Sequence, residues 1–420
     1  MSTFFSSKNI RESLQVHKWL GLWLCALIYL VCISGSLVVF FEEFDRLEQS
    51  NISEYSHFKS EYIQPALDEY TQRISNTPES IYIVLPTEDF PRTHITDGIE
   101  EWYLGEDGAF EAQPDVPWTS MLKDLHTHLH LPHTLGMAIV GICGIFILAL
   151  TISGIVAHPT IIRDAFTLRL GRTKIQSQSD LHNRLGVWGL PFNIMISVTG
   201  AFIGLGAILI ALGSALYFEN DQDAMLNAVY GEDPAIESNG ENFDYPAAFA
   251  NLAQYHPQAQ PIYVVIHRMG NDDQLMEIAA TLPERLIYSE IYRFDTSGNI
   301  INHQGLSDGP AGRQVAYSTY RLHFGHFGNF WVKVIYFVMG LALTYVCISG
   351  TNLWLAKRKH KDAINGLWFS WLWAVPLALV SALLLKIWFE NLIAFFWISA
   401  LIWTFVLFLM QMLKEKKAAQ

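Results

Sequence analysis

No Cys-x-x-Cys-His stretch occurs in this sequence, which excludes a haem attached through thioethers. The four cysteines, Cys25, Cys32, Cys143 and Cys347, all lie inside apolar runs, leaving none to staple a soluble segment with a disulfide. No glycine-rich fingerprint follows a strand pattern, which argues against a built-in NAD(P)H or flavin domain. Charge is scarce too: 16% of the 420 residues are Asp, Glu, Lys or Arg, against 51% hydrophobic. Soluble chains carry about 25% charged residues, so this one belongs in a bilayer, as a mainly α-helical membrane protein.

Crossing about 30 Å of hydrocarbon takes about 20 apolar residues. Runs of that length fall near 19–41, 134–157, 186–215, 331–356, 367–386 and 392–412. The first follows Lys8, Arg11 and Lys18 and is too long for the core of a signal peptide, so it reads as an uncleaved anchor. Fifteen of the 27 basic residues fall on one side of six such spans: the N-terminal tail, 158–185, 357–366 and the C-terminal tail. By the positive-inside rule that side is the cytoplasm, with both termini in it. The division expected is a tail and first span over 1–41, an outer module 42–130 and a second span 131–158. A cytoplasmic connection 159–185, a third span 186–215, a second outer module 216–325 and a fourth span 326–356 follow, and 357–420 forms a two-helix hairpin with a cytoplasmic tail.

The outer modules are acidic, with 19 Asp and Glu against 5 Lys and Arg along 42–130, and 15 against 5 along 216–325. Such a surface keeps an exported module soluble. It also repels nucleic acid and favours cationic or metal-bearing partners at short range. The connection Ile161 to Gln178 is basic and carries Phe166 and Leu168, which suits contact with lipid headgroups.

The chain repeats itself. His17-Lys18-Trp19-Leu20-Gly21-Leu22-Trp23 returns as His182-Asn183-Arg184-Leu185-Gly186-Val187-Trp188, and a glycine follows each histidine by 18 residues, at Gly35 and Gly200. Leu125-His126 leads into a run ending Ser153-Gly154, and Leu322-His323 into one ending Ser349-Gly350. Ile81-Tyr82-Ile83-Val84 echoes in Ile262-Tyr263-Val264-Val265. The whole reads as a tandem, pseudo-twofold duplication of one unit: span, small α+β module, span.

Eighteen residues make about five helical turns, which sets each of the first histidines and its glycine on one face. A flat macrocycle between such helices wants small residues where it lies and nitrogen donors above and below its metal, so Gly21, Gly35, Gly186, Gly200, Gly154 and Gly350 are candidate cofactor-contact positions. His17 and His182 are the candidate ligands of an inner haem, with His158 reaching the same level as an alternative ligand or a propionate partner. One of His126 or His130 with one of His323 or His326 would serve an outer haem. The alternation His126, His128, His130 also permits an extended divalent-metal site. The hairpin 357–420 holds no histidine in its spans. Trp368, Trp371 and Trp373 mark it as an interfacial accessory to a four-helix core.

The run Leu125 to Pro132, Asp180-Leu181-His182-Asn183, Leu322-His323-Phe324-Gly325 and the repeated Ser-Gly together resemble the PepSY-associated transmembrane family. That family includes the inner-membrane ferrisiderophore reductases of the FoxB and PiuB type. The resemblance covers roughly residues 10–360. It implies PepSY-like periplasmic modules, a haem-binding four-helix core with b-type haem, two of them by the histidine count, and electron delivery to ferric siderophores or other Fe(III) chelates. Some relatives carry a fused flavoprotein reductase, which this chain lacks, so its donor would be separate, a quinol or a cytoplasmic reductase. The expectation is thus a dihaem ferric-chelate reductase of the bacterial inner membrane. A haem-free metal- or chelate-binding permease component and a PepSY regulatory anchor are the competing expectations. Interfacial irons nearly a bilayer apart would also need help from aromatics such as Trp188.

Overall fold

The computed structural model describes residues 6–76, 78–158, 160–166, 173–231, 234, 238, 240–307, 309–358 and 362–418. Leu168, Arg169, Arg172, Lys359 and Lys361 of the basic connections lie outside the described residues. In chain order the elements are α1 (Ser7–Val38), α2 (Phe41–Glu48), α3 (Ile63–Arg73), β1 (Ser80–Val84), β2 (Thr93–Thr96), β3 (Glu101–Leu104), α4 (Pro117–His128) and α5 (His133–Ala157). Then come α6 (Ile161–Ala165), α7 (Lys174–Trp188), α8 (Leu190–Gly204), α9 (Gly206–Tyr217), α10 (Gln222–Tyr230), α11 (Tyr245–Tyr255), β4 (Gln260–His267), β5 (Leu275–Thr281), β6 (Glu290–Phe294) and β7 (Ile300–Gln304). The chain finishes with α12 (Ala311–Phe324), α13 (Phe330–Ala356), α14 (Ala363–Leu385) and α15 (Leu392–Ala418).

Two compact units divide the chain. One gathers residues 1–41, 117–207 and 331–420, the other 42–116 and 208–330. The first is the membrane part. Among the described residues five helices are long and apolar enough to span a bilayer, and a sixth span results if α7 and α8 count as one bent pair. The chain is therefore a multi-pass membrane protein.

The third span departs from the continuous run expected over 186–215. α7 and α8 meet at 66°. The cause is local, because Pro191 in the first turn of α8 offers no N–H to the preceding turn, and the Gly189 N–H turns back to the Leu185 carbonyl. A second break at Leu205 separates α8 from α9.

α5 and α8 cross at backbone contact. A Cβ added to Gly144 would lie 2.7 Å from the Ser197 carbonyl oxygen, and one added to Gly141 would lie 2.9 Å from the Gly204 carbonyl carbon. Small residues at such crossings supply the van der Waals contact that replaces a hydrophobic drive in lipid. Ile28, Cys32, Ile147 and Leu343 form an apolar layer inside the bundle, flanked by Leu24, Phe146, Leu150, Ile196 and Cys347. The hairpin of α14 and α15 is fastened to that bundle through backbone carbonyls: Tyr29 donates to Leu372 at 2.7 Å and the Trp118 indole to Leu379 at 3.1 Å.

The second unit differs from the two separate modules expected. Both loops contribute to one antiparallel sheet, in the order β3-β2-β1-β4-β5-β6-β7. Each copy of the duplicated unit makes a helix followed by strands, and the first strands of the two copies pair, Ile81 with Ile266, Ile83 with Val264. Ile83 and Val264 hold the same place in the repeated motif, so the pseudo-twofold axis passes through their pair. The physical reason is edge protection, since β1 and β4 would each be an exposed apolar edge without the other. Alternation sends Ile81, Ile83, Val264 and Ile266 to one face, where they pack against Leu67 and Tyr70 of α3 and Ala248 and Leu252 of α11. Charges buried in the sheet are paired. Burial pushes the Glu290 carboxyl up, but hydrogen bonds from His303, Ser307 and the Leu306 and Ser307 amides outweigh it and bring its pKa to about 2.

Candidate functional site

Three histidines of the membrane unit are held in one way. His17 on α1 places Nδ1 at 3.0 Å from the Leu150 carbonyl and 3.2 Å from Ser153 Oγ, both on α5. His182 on α7 places Nδ1 at 3.1 Å from the Val346 carbonyl and 2.9 Å from Ser349 Oγ, both on α13. His126 on α4 places Nδ1 at 3.0 Å from the Val31 carbonyl and 3.5 Å from Ser34 Oγ, both on α1. The receiving helix offers the same pattern each time: a carbonyl, a serine three residues on and a glycine four residues on. One helical turn brings all three to one patch of surface. A carbonyl only accepts, so Nδ1 carries the proton in every case and Nε2 keeps its lone pair.

The glycines make room for imidazole edges. A Cβ added to Gly154 would sit 3.2 Å from His17 Cε1, one on Gly350 3.3 Å from His182 Cε1, and one on Gly35 2.5 Å from His126 Cε1. Gly35, Gly154 and Gly350, candidate cofactor-contact positions, each lie against a histidine from another helix. Among the described residues nothing lies within 4 Å of a Cβ added to Gly186, one turn after His182, and one added to Gly21, one turn after His17, meets the tip of Leu150 at 3.6 Å. Gly200 lies on α8 in the turn of Thr199.

The expected inner pair comes together. The His17 and His182 rings stand 6.4 Å apart between centres and nearly perpendicular, at 81°. His158 caps the end of α5 and lies against Thr160 at 3.4 Å instead.

The outer cluster separates into different duties. His126 lies on a short helix that ends before the span, because Leu129 and His130 take left-handed backbones (φ 57° and 56°) and Pro132 caps α5. Both ring nitrogens of His130 are engaged: Nε2 donates to the Met121 carbonyl at 2.8 Å and Nδ1 accepts from the Trp397 indole at 3.0 Å. His128 turns to Asp124 at 3.3 Å and lies tilted against His133. The alternating run thus does not converge on one ion, and among the described residues no group of three or more His, Cys, Asp or Glu is arranged to hold one. In the other unit, His323 lies in the last turn of α12, and His326 follows the left-handed Gly325 cap and sits 3.8 Å from Glu42. Trp188, expected to help bridge the bilayer, is half exposed and packs on Phe166, because the bend at Gly189 carries it outward.

Sequence reasoning missed the hydroxyls. The signal was present in the repeated Ile-Ser-Gly at 33–35, 152–154 and 348–350, with Val198-Thr199-Gly200 as its fourth copy, but nothing in spacing says which histidine meets which copy.

Comparison with known proteins adds two findings. A family profile described as the PepSY-associated TM region matches residues 14–357. An uncharacterized protein of Pseudomonas aeruginosa is 25% identical over 256 residues, covering 58% of this chain and 64% of that relative. The chain thus spans less than two thirds of the relative's length.

Proposed function

The chain belongs to the family of the PepSY-associated TM region, and from that premise we propose that it is a dihaem b-type oxidoreductase of the bacterial inner membrane. In this reading it passes electrons outward to an Fe(III) chelate such as a ferric siderophore in the periplasm, and Fe(II) is released for uptake. The acidic sheet-bearing unit faces the periplasm and both termini face the cytoplasm.

The observation that carries the reading is the meeting of His17 and His182. A metal about 2 Å from each Nε2 would set the ring centres roughly 6 Å apart, close to the 6.4 Å present. Nδ1 held by a carbonyl is the usual outer support of a metal-bound imidazole, fixing its tautomer and raising its basicity. With two protein donors at this place among the described residues, the fitting metal is one that brings its other four ligands with it, as in a porphyrin. Among the described residues little stands beside Gly186 and Gly21, which would leave such a plate an edge to enter by.

A b-type haem at that place supplies one-electron redox chemistry. The chain's own part is positional. His17 and His182 would hold it, the Leu150 and Val346 carbonyls aim them, and the layer of Ile28, Cys32, Ile147 and Leu343 would keep water from it. His126 serves the outer level. The duplication makes His323 its counterpart, since α12 precedes α13 as α4 precedes α5, and Thr199-Gly200 repeats Ser34-Gly35. Along α1 the two levels are roughly 25 Å apart, from 1.5 Å per residue. The donor is a separate quinol or cytoplasmic reductase.

Purification from haem-replete cells tests this directly. The expected result is a reduced α-band of b type, about two haems per chain, and oxidation of the reduced protein by a ferric hydroxamate with Fe(II) captured by a chromogenic chelator. A colourless preparation would sink the reading in favour of a haem-free chelate-binding or regulatory role.

His130 stands outside this scheme. His130→Ala is expected to keep full haem content while losing the bond to Trp397, a neutral contact worth about 1 kcal/mol. Thermal unfolding in detergent, read beside the Soret absorbance, checks both halves. Loss of a haem from this variant would return His130 to the ligand set.

A further inference from the structure

We propose that the Ser153 and Ser349 hydroxyls are positioning groups that strengthen the inner histidines as electron donors and so make the inner level the harder of the two to reduce. The inference rests on the haem reading above. Each of these serines donates its own proton to the carbonyl that the histidine uses, Ser153 to Leu150 and Ser349 to Val346, both at 3.1 Å. With that proton committed, the oxygen lone pairs accept from Nδ1–H, at 3.2 Å for His17 and 2.9 Å for His182. Each inner Nδ1–H therefore faces two acceptors, a carbonyl and a polarised hydroxyl.

The outer level differs. Ser34 Oγ is drawn back onto its own helix, 2.8 Å from the Leu30 carbonyl and 3.2 Å from that of Val31, and stands 3.5 Å from His126 Nδ1, at the limit of a hydrogen bond. A more strongly accepted Nδ1–H makes the opposite nitrogen more basic, and a more basic axial ligand favours the oxidised iron over the reduced one. The serines thus lower the inner potential more than the outer. One electron then moves outward downhill, with no bond made or broken and no proton carried.

The test is a spectroelectrochemical titration of the purified holoprotein, with the ferric low-spin EPR signal recorded alongside. Ser153→Ala with Ser349→Ala is expected to shift the reduction equilibrium of one haem two- to tenfold toward the reduced form, a tenfold shift being 59 mV for one electron, and to move its g-values. Ser34→Ala should move the other haem less. Thr at both inner positions restores the hydroxyl and should restore the potential, which separates hydrogen bonding from packing. If the double alanine variant binds two haems at unchanged potentials, the inference fails while the haem reading stands. If the wild-type chain binds no haem, the reading itself has failed. Haem loss that threonine does not rescue would also overturn the inference, by showing that the serines act through packing alone.

Discussion

Alanine at His182 is expected to take the purified protein from about two haems per chain to one, and to stop reduction of an enclosed ferric chelate by an electron donor on the opposite side of a proteoliposome membrane. The argument is geometric. His182 and His17 meet at the inner level, and each is held by a carbonyl from a different helix. In the haem reading, removing either would leave the other without its partner at the iron. His17→Ala should therefore give the same stoichiometry and the same block. His158→Ala should give neither, since His158 rests against Thr160. The remaining haem should still pass electrons to chelate when reductant is supplied on its own side, which separates a lost relay from a misfolded protein. Two haems in both variants would remove the inner assignment.

Leucine at Gly35 is expected to expel the outer haem. Even the first carbon of a side chain there would lie 2.5 Å from His126 Cε1 and 2.9 Å from its Nδ1, closer than packed atoms stand. The ring is held against α1 by the Val31 carbonyl, one turn before Gly35 on the same helix, so making room for a side chain there means giving up that hydrogen bond and leaving the helix surface. Overpacking of this kind costs about 1–3 kcal/mol in stability. In the haem reading, loss of the ring's placement would cost the cofactor as well. Gly206→Ala is the matched control: among the described residues nothing lies within 4 Å of the added carbon, the residue stands in neither haem site, and haem content and Tm should stay at wild-type values. Gly154→Ala, at 3.2 Å from His17, should fall between them. Absorbance per chain and a melting curve on the three variants decide the order.

The spans, the duplication and the inner pair were legible because each is written in the sequence as period or identity. A run of twenty apolar residues has one stable home, and two copies of His-x-x-Leu-Gly put two imidazoles at one level. The joint sheet was not legible, because Ile81–Val84 and Ile262–Val265 read equally well as edges of separate modules, and only their pairing shows that each covers the other. The bend at Gly189 was signalled by Pro191, yet a proline one turn into an apolar run is compatible with a straight helix as well as a broken one. The roles of His126 and His130 could not be told apart from spacing. Two left-handed residues, Leu129 and His130, decide which ring reaches α1 and which reaches Trp397, and no local pattern demands them.

The pairing of Ile83 with Val264 has a historical consequence. Two like positions facing one another on antiparallel strands are what a half-length ancestor makes when it associates with its own copy about a true dyad. Fusion of two genes would have kept that contact and freed the halves to diverge. The different strand counts on the two sides of the seam, β1 to β3 against β4 to β7, are a departure that two identical copies of one chain cannot accumulate. Each half expressed alone is then an adhesive protein, with a bare strand seeking the mate it lost.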